Sequence, residues 1–141
     1  YSKNNEKLIR GAFELLCEEE LIALEHVKEI EGLQEVIDYL LSKNYSISLV
    51  TMQCKKSVEI ILTKLNLTEK FSSIITRDEN HDRFFQIKNT YELLNFSPSD
   101  VTMIGDRIHD INSANKANCN SILVNRKDIK SKKLKELINI L

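Results

Sequence analysis

Two aspartates, Asp106 and Asp110, have the spacing that most directly predicts chemistry. They stand four residues apart, directly after Gly105. If the segment between them turns helically, their β-carbons lie about 5–6 Å apart and both carboxylates can face one cation. Mg²⁺ favours such carboxylates and completes its coordination shell with waters and a substrate phosphate. The alternative is structural: Asp106 caps a helix and Asp110 complements the positive end of that helix.

Thr51 is a second candidate because it lies between a strand pattern and a helix pattern. Its hydroxyl and the backbone N–H groups that follow could bind a phosphate oxygen, since helix N-termini attract anions. An ordinary strand threonine or a helix cap is the alternative.

Three cations, His81, Arg83 and Lys88, follow the next strand pattern. Any one of them could offset phosphate charge, or it could lie on a solvated surface.

The elements that must position these residues alternate between helix and strand. Apolar residues at helical spacing predict helices over 3–24, 32–43, 55–66, 84–94 and 131–141, and a short one around 111–117. Apolar and β-branched runs predict strands over 46–51, 73–76, 101–104 and 122–124. We expect the acidic run 18–20 to break the first helix.

This alternation predicts an α/β fold with a parallel sheet, because parallel strands need helical crossovers. Such sheets bind ligands at the carboxyl ends of their strands. Thr51, the pair Thr76-Arg77 and the pair Gly105-Asp106 each follow a predicted strand. We therefore expect these polar groups to converge on one edge of the sheet.

The composition excludes several classes of partner. Lys and Arg number 20 against 21 Asp and Glu, for a net charge of −1. That balance gives no support to nucleic acid or an anionic membrane as the main partner. No apolar run approaches the roughly 20 residues that cross a bilayer, and the first residues show no secretory signal. We expect a cytoplasmic protein of one domain, or part of one.

The three cysteines, Cys17, Cys54 and Cys119, are far apart in the chain and odd in number. They lack the spacing of metal ligands. Reduced thiols are the simplest expectation for a cytosolic protein. We expect both Cys54 and Cys119 to be structural thiols rather than nucleophiles.

Residues 27–141 resemble the haloacid dehalogenase-like hydrolases, and most closely their phosphoglycolate phosphatase-like branch. The most specific match is Ile-Gly-Asp-Arg-Ile-His-Asp-Ile-x-x-Ala-x-x-Ala-x-Cys-x-x-Ile-x-Val at 104–124, which is similar to the fourth motif of the family. The strand 48–51, ending in Thr51, is similar to the second motif. The segments 31–33, 43–45 and 95–98 also fit. Asn118, where the family often has Gly, is a mild change because Asn tolerates a left-handed backbone.

The resemblance implies a Rossmann-like parallel sheet with helices on both faces and a remnant of a helical cap. It assigns residues 1–26 to the C-terminal part of the cap and 27–141 to the core. It implies Mg²⁺-dependent phosphatase activity on a small phosphorylated metabolite, through an aspartyl-phosphate. Thr51 would hold the phosphate, and Asp106 and Asp110 would hold Mg²⁺.

Two departures from the family pattern bear on activity. The nucleophile motif, a strand that ends in Asp-x-Asp, is absent, and the chain starts at Tyr1 rather than Met. We therefore expect the chain to begin after the catalytic strand, which would leave a slot between the strands that end at Thr51 and Asp106. Such a chain is expected to be marginally stable and inactive by itself.

The third motif, usually Lys-Pro, is also irregular. Counting back from Phe96 puts the lysine near His81 and the proline at Asp82. We favour Arg83 for the lysine role, since guanidinium is a permanent, forked cation. His81 would be mostly neutral at pH 7, and Lys88 lies a turn further along.

Two other functions stay open from the sequence. The protein could be a non-catalytic relative that binds a phosphorylated ligand or a protein partner. A receiver-like signalling domain is more distant, because Asp106 is the only acid at the end of a predicted strand and it comes late in the chain.

Overall fold

The structure, a computed structural model, describes residues 2–30, 32–124 and 136–139. The helices are α1 (Ser2–Ala23), α2 (Leu33–Ser42), α3 (Lys55–Lys64), α4 (Arg83–Leu93) and α5 (Ile108–Lys116). The strands are β1 (Ser48–Val50), β2 (Ser73–Ile75), β3 (Thr102–Gly105) and β4 (Asn120–Leu123). Single turns of 3₁₀ helix lie at Leu24–His26, Thr68–Lys70 and Pro98–Asp100. Of the helix predicted over 131–141, residues 136–139 are helical and the rest lie outside the described residues.

The strands form two parallel pairs, each joined by a helical crossover. β1 pairs with β2 from Ser48 opposite Ser73, and β3 pairs with β4 from Thr102 opposite Asn120. Helix α3 connects the first pair and α5 connects the second. The predicted α/β class with parallel strands is therefore confirmed. Within the described ranges the two pairs are separate two-stranded sheets, so β1 and β3 do not pair with each other.

Two buried apolar clusters hold these units together. The first contains Ile37, Val58, Leu62 and Leu67, and the second contains Ile87, Ala114, Ala117 and Cys119. Val50 of β1 packs against the second cluster, together with Phe84 of α4. Helix α4 also contacts α5. It therefore connects the β1–β2 unit with the β3–β4 unit, although their strands do not pair.

Four helices end in the same way, with an asparagine in the left-handed conformation. Asn44, Asn66, Asn95 and Asn118 have φ angles of 61°, 55°, 57° and 58°. Each follows the C-cap residue of α2, α3, α4 or α5. At the end of α3, the N–H of Asn66 donates to the carbonyl of Thr63 and the N–H of Leu67 to that of Leu62. This is a Schellman motif, which satisfies carbonyls at the helix end. The expected tolerance of Asn118 is confirmed.

Helix α1 contradicts one prediction, because it continues through the acidic run 18–20 without a break. Glutamate is a good helix former, so three in succession do not end a helix. Glu20 also has a specific partner in the core: Arg77 Nη1 donates to its Oε1 at 2.7 Å. Arg77 therefore offsets the charge of Glu20, and this charge does not favour a break in the helix.

The expectation of three reduced cysteines was also wrong. Cys17 and Cys54 form a disulfide with their α-carbons 5.5 Å apart. The pair is separated by 37 residues, and only the packing of α1 on α3 brings the two together. Cys119 is the free and buried thiol that was predicted. No helix in the described part of the chain is long and apolar enough to cross a membrane.

The left-handed asparagines predict a simple stability difference at Asn66. Asn66→Ala should destabilise the protein by about 1 kcal/mol, because a β-carbon without a local hydrogen-bonding side chain disfavours this conformation. Asn66→Gly should be neutral or slightly stabilising. Urea denaturation measures both. Asn89→Ala, at an exposed position inside α4, is the control and should cause no loss; an equal loss there would contradict the assignment.

Candidate active site

Thr51 begins the turn that links β1 to α3. Its N–H donates to the carbonyl of Ile75 at 3.0 Å, which extends the parallel ladder one residue past β1. Its hydroxyl oxygen accepts from the N–H of Gln53 at 3.2 Å, and α3 begins at Lys55 with Cys54 as its N-cap. A hydroxyl that accepts one bond can still donate its own hydrogen. Thr51 is therefore held at a strand end and can donate to an anion.

A buried ion pair joins the N-termini of α4 and α5. Arg83 Nε donates to Asp110 Oδ1 at 3.0 Å, and the two side chains are 11% and 8% exposed. Arg83 is the first residue of α4, and Asp110 lies in the first turn of α5. Water screens such a pair weakly, so each charge depends strongly on the other.

Gln86 links this ion pair to Thr51 and is the site residue that the sequence did not reveal. Its side chain is fully buried. Its Oε1 accepts from Arg83 Nη1 at 2.6 Å, and its Nε2 donates to the carbonyls of Thr51 and Asn80 at 2.8 and 2.7 Å. A continuous path of hydrogen bonds thus runs from Thr51 to Asp110. The sequence offered no signal for Gln86, because only the structure shows that it and Thr90, one turn further along α4, are buried.

Gly105 leaves the space that Asp110 occupies. A β-carbon at Gly105 would lie 2.5 Å from the β-carbon of Asp110 and 2.8 Å from its Oδ2. Real side chains do not approach so closely, so the glycine is required by contact rather than by backbone conformation. This close approach brings Asp110 to the carboxyl end of β3.

Asp106 lies half-buried between β3 and α5. The N-cap of α5 is Arg107, which makes no side-chain cap hydrogen bond. Asp106 therefore does not occupy the capping position that the structural alternative assigned to it. Asp110, in contrast, lies in the first turn of α5, where an acid complements the helix dipole.

The three candidate cations have different surroundings. Arg83 lies in the network described above. His81 is exposed and its ring lies 5.6 Å from that of Phe13. Lys88 is paired with Glu92 at 3.7 Å, further along α4. Asp82, which lies between His81 and Arg83, accepts a hydrogen bond from the N–H of Phe84 and caps α4.

The polar residues that follow β2 have partners outside the Arg83 network. Arg77 is buried and donates to Glu20 of α1 and to the carbonyl of Met52. Thr76 donates to Glu79 through its backbone N–H and its hydroxyl. Partial burial raises the pKa of Glu79, but these hydrogen bonds together outweigh it, and the pKa lies below the ordinary value. Of the three expected groups, Thr51 and Gly105 border the Arg83 network, whereas Arg77 contacts α1 and Thr76 contacts Glu79.

Asp106 and Asp110 supply hard oxygen ligands of the kind that Mg²⁺ prefers. Arg83 donates a hydrogen bond to Oδ1 of Asp110. The positive charge of Arg83 lowers the attraction of this carboxylate for a metal ion. Gly105 keeps the space beside Oδ2 free of a side chain. The donor set fits a cation that keeps several waters in its shell, which is typical of Mg²⁺.

Gly105→Ala tests the close approach of β3 and α5. The added methyl group must displace Asp110, and we expect a loss of about 1–3 kcal/mol in the free energy of unfolding. Gly11→Ala is the control, because nothing lies within 4 Å of its added β-carbon. That substitution, inside α1, should stabilise by about 0.5–1 kcal/mol. Equal effects at the two glycines would contradict the proposed contact.

The ion pair predicts strong coupling between its partners. Arg83→Met or Asp110→Asn alone should each cost about 3–5 kcal/mol, because each leaves a buried charge without its partner. The double variant should lose less than the sum of the two. Denaturant unfolding of all four proteins gives the coupling energy. A coupling near zero would show that the two charges act independently.

Comparison with known proteins assigns this chain to a family. The family model for haloacid dehalogenase-like hydrolases matches residues 2–124. Pyrophosphatase PpaX of Bacillus mycoides (strain KBAB4) is 29% identical over 103 residues, which cover 71% of this chain and 48% of that protein. PpaX of Bacillus cereus (strain G9842) is 31% identical over 90 residues, covering 62% and 42%. The chain thus spans less than half the length of these relatives.

Solved structures share the fold. A HAD-superfamily hydrolase from Ehrlichia chaffeensis superposes with a TM-score of 0.69 at 26% identity, covering 78% of this chain and 56% of that one. A predicted phosphoglycolate phosphatase from Haemophilus somnus 129pt gives a TM-score of 0.68 at 17% identity, covering 80% and 57%. With the parallel βαβ units, this likeness confirms the expected Rossmann-like α/β fold. Since the family model spans most of its length, the chain belongs to the haloacid dehalogenase-like hydrolases.

Proposed function

We propose that this chain is part of a Mg²⁺-dependent phosphatase that acts on a small phosphorylated metabolite through an aspartyl-phosphate. The observation that carries the proposal is the path of hydrogen bonds from Thr51 through Gln86 and Arg83 to Asp110. It joins Thr51, the proposed phosphate ligand at a strand end, to Asp110, one of the two proposed metal ligands. The pyrophosphatase names of the relatives support the same class of reaction.

Each residue of the path has a distinct role in this proposal. The hydroxyl of Thr51 donates to a phosphate oxygen. Arg83 binds Asp110 through Nε and Gln86 through Nη1, and its remaining N–H groups face the phosphoryl group. Asp106 and Asp110 hold Mg²⁺, which when bound offsets the charge on the transferring group. Gln86 is a positioning residue, since it fixes Arg83 relative to Thr51.

The nucleophile, in this proposal, is an aspartate on a strand that lies between β1 and β3. A carboxylate oxygen bonds to phosphorus while the bond from phosphorus to the leaving oxygen breaks, and water then hydrolyses the aspartyl-phosphate. The separation of β1 and β3 into two sheets within the described chain supports this place for the strand. A strand there would pair their backbone groups, which would otherwise lack ladder partners. We propose that the full-length protein, the product of the complete gene, supplies it before Tyr1.

We further propose that residues 1–26 belong to a helical cap and 27–141 to the core. Helix α1 exposes several large apolar side chains, including Leu8 at 71% and Leu15 at 65%. Such a surface suits a helix that packs against other helices of a cap. The proposed partner of the whole site is a small phosphorylated substrate, in the cytoplasm.

A non-catalytic relative that binds a phosphorylated ligand is the second candidate. It is favoured by one observation: none of the four described strands ends in Asp-x-Asp. The coding sequence before Tyr1 separates the two functions. An apolar strand that ends in Asp-x-Asp supports the phosphatase, and its absence from the complete gene supports the binding protein.

The phosphatase proposal predicts activity for the full-length protein alone. With Mg²⁺ it should hydrolyse a generic aryl phosphate, and Asp106→Asn should reduce the rate by more than about 100-fold, because a ligand of the charge-offsetting metal is lost. The 141-residue chain should show no turnover. Turnover by that soluble chain would show that the nucleophile lies within it, contrary to the proposal.

A separate experiment tests whether Arg83 is the cationic side chain that binds the phosphate. In the full-length protein, Arg83→Met should weaken the binding of inorganic phosphate at least about tenfold, the equivalent of one charge-assisted hydrogen bond. His81→Ala and Lys88→Ala are the matched comparisons and should change it little. Circular dichroism checks that Arg83→Met stays folded. If Lys88→Ala alone weakens binding, Lys88 holds the phosphate instead.

A further inference from the structure

A second group of side chains that can bind a metal ion lies where α1 meets α3. Cys17 and Glu20 stand one turn apart on α1, and Cys54 is the N-cap of α3. One ligand atom from each of these three residues lies within 4.8 Å of the others. It is the one such group of three or more Cys, His, Asp or Glu residues in the described ranges.

We propose that Cys17, Cys54 and Glu20 form a binding site for a thiophilic divalent cation such as Zn²⁺ when the disulfide is reduced. A thiol reductant supplies the two electrons and two protons that convert the disulfide to two thiols, and is itself oxidised to a disulfide. The cation then displaces one proton from each thiol. Three protein ligands leave a fourth tetrahedral position for water.

Glu20 is already held beside the two sulfur atoms by hydrogen bonds. The N–H of Cys54 donates to Glu20 Oε2 at 2.8 Å, and Arg77 donates from Nη1 to Oε1 at 2.7 Å and from Nη2 to Oε2 at 3.3 Å. Groups that hydrogen-bond to a metal ligand fix its orientation and strengthen binding, and a carboxylate with about four lone-pair sites can still bind a cation. Arg77 does this from a buried position, with its side chain 4% exposed.

The charges of the group also suit a divalent cation. Two thiolates and one carboxylate carry three negative charges, so the site still attracts a divalent cation although the guanidinium of Arg77 offsets one of them. In the disulfide form the thiolates are absent, and the Glu20–Arg77 pair is already neutral. The oxidised protein therefore has neither the sulfur ligands nor the negative charge to bind the cation.

The location gives the site access to solvent and to the proposed phosphate site. Cys54 is 2% exposed, but Cys17 and Glu20 are half-buried and open a route for the ion. Cys54 also lies three residues after Thr51, on the same turn. The cation would thus join α1 to this turn under reducing conditions, as the disulfide does under oxidising ones.

Cobalt titration tests the proposal, because Co²⁺ bound to thiolate has a charge-transfer absorption that carboxylate sites lack. The full-length protein is reduced, freed of reductant without oxygen and titrated in excess Mg²⁺. We expect one equivalent of thiolate-bound Co²⁺, displaced by Zn²⁺, and none in the oxidised protein. Glu20→Gln should lower the Co²⁺ affinity at least about tenfold, whereas Glu19→Gln, an exposed neighbour, should not.

Cys17→Ser should abolish the absorption, and Cys119→Ser should leave it intact, since burial raises the pKa of the Cys119 thiol and that residue is outside the group. Circular dichroism confirms that each variant is folded. The proposal is overturned if folded wild-type protein with both thiols reduced shows no thiolate–cobalt absorption. It is equally overturned if Cys17→Ser retains that absorption. Neither result depends on phosphatase activity. Failure of the cobalt test would therefore not count against the proposed phosphatase function.

Discussion

The ion pair between Arg83 and Asp110 is the contact on which the rest of the candidate site depends. It joins the starts of two helices whose strands belong to different sheets. A buried pair of this kind adds little net stability, but it penalises any arrangement that separates its charges. Gln86 extends the same constraint to Thr51. The relative position of the two βαβ units at this edge therefore follows from polar contacts as well as from the apolar cluster around Ile87.

Much of this architecture could be predicted because it follows from local patterns in the sequence. The order of helices and strands follows from apolar spacing, and the observed ends differ from the predicted ones by a few residues at most within the described ranges. The acids at Asp106 and Asp110 were recognisable from four-residue spacing after a glycine. The expected tolerance of Asn118 follows from its intrinsic conformational preference, which is also local.

The remainder depends on contacts between distant segments, which periodicity cannot reveal. Cys17 meets Cys54, and Glu20 meets Arg77, only after α1 has packed on α3. The sequence therefore predicted free thiols at Cys17 and Cys54 and a break in α1, and both predictions were wrong. Gln86 was missed for the same reason, because a glutamine in a helix carries no local sign of the carbonyls that it will bind. Assignment of Arg83, Thr51 and the two aspartates to a phosphate and metal site stays a proposal.

We propose that phosphate and Mg²⁺ bind together in one site at the ends of β1 and β3. Calorimetric titration of the full-length protein with inorganic phosphate, at zero and at saturating Mg²⁺, tests whether they do. Two ligands that share a site change each other's affinity, typically by about fivefold or more. We predict that Mg²⁺ tightens phosphate binding by at least this factor, and that Asp106→Asn removes the difference. Equal phosphate affinities with and without Mg²⁺ would mean that the two ligands do not share a site.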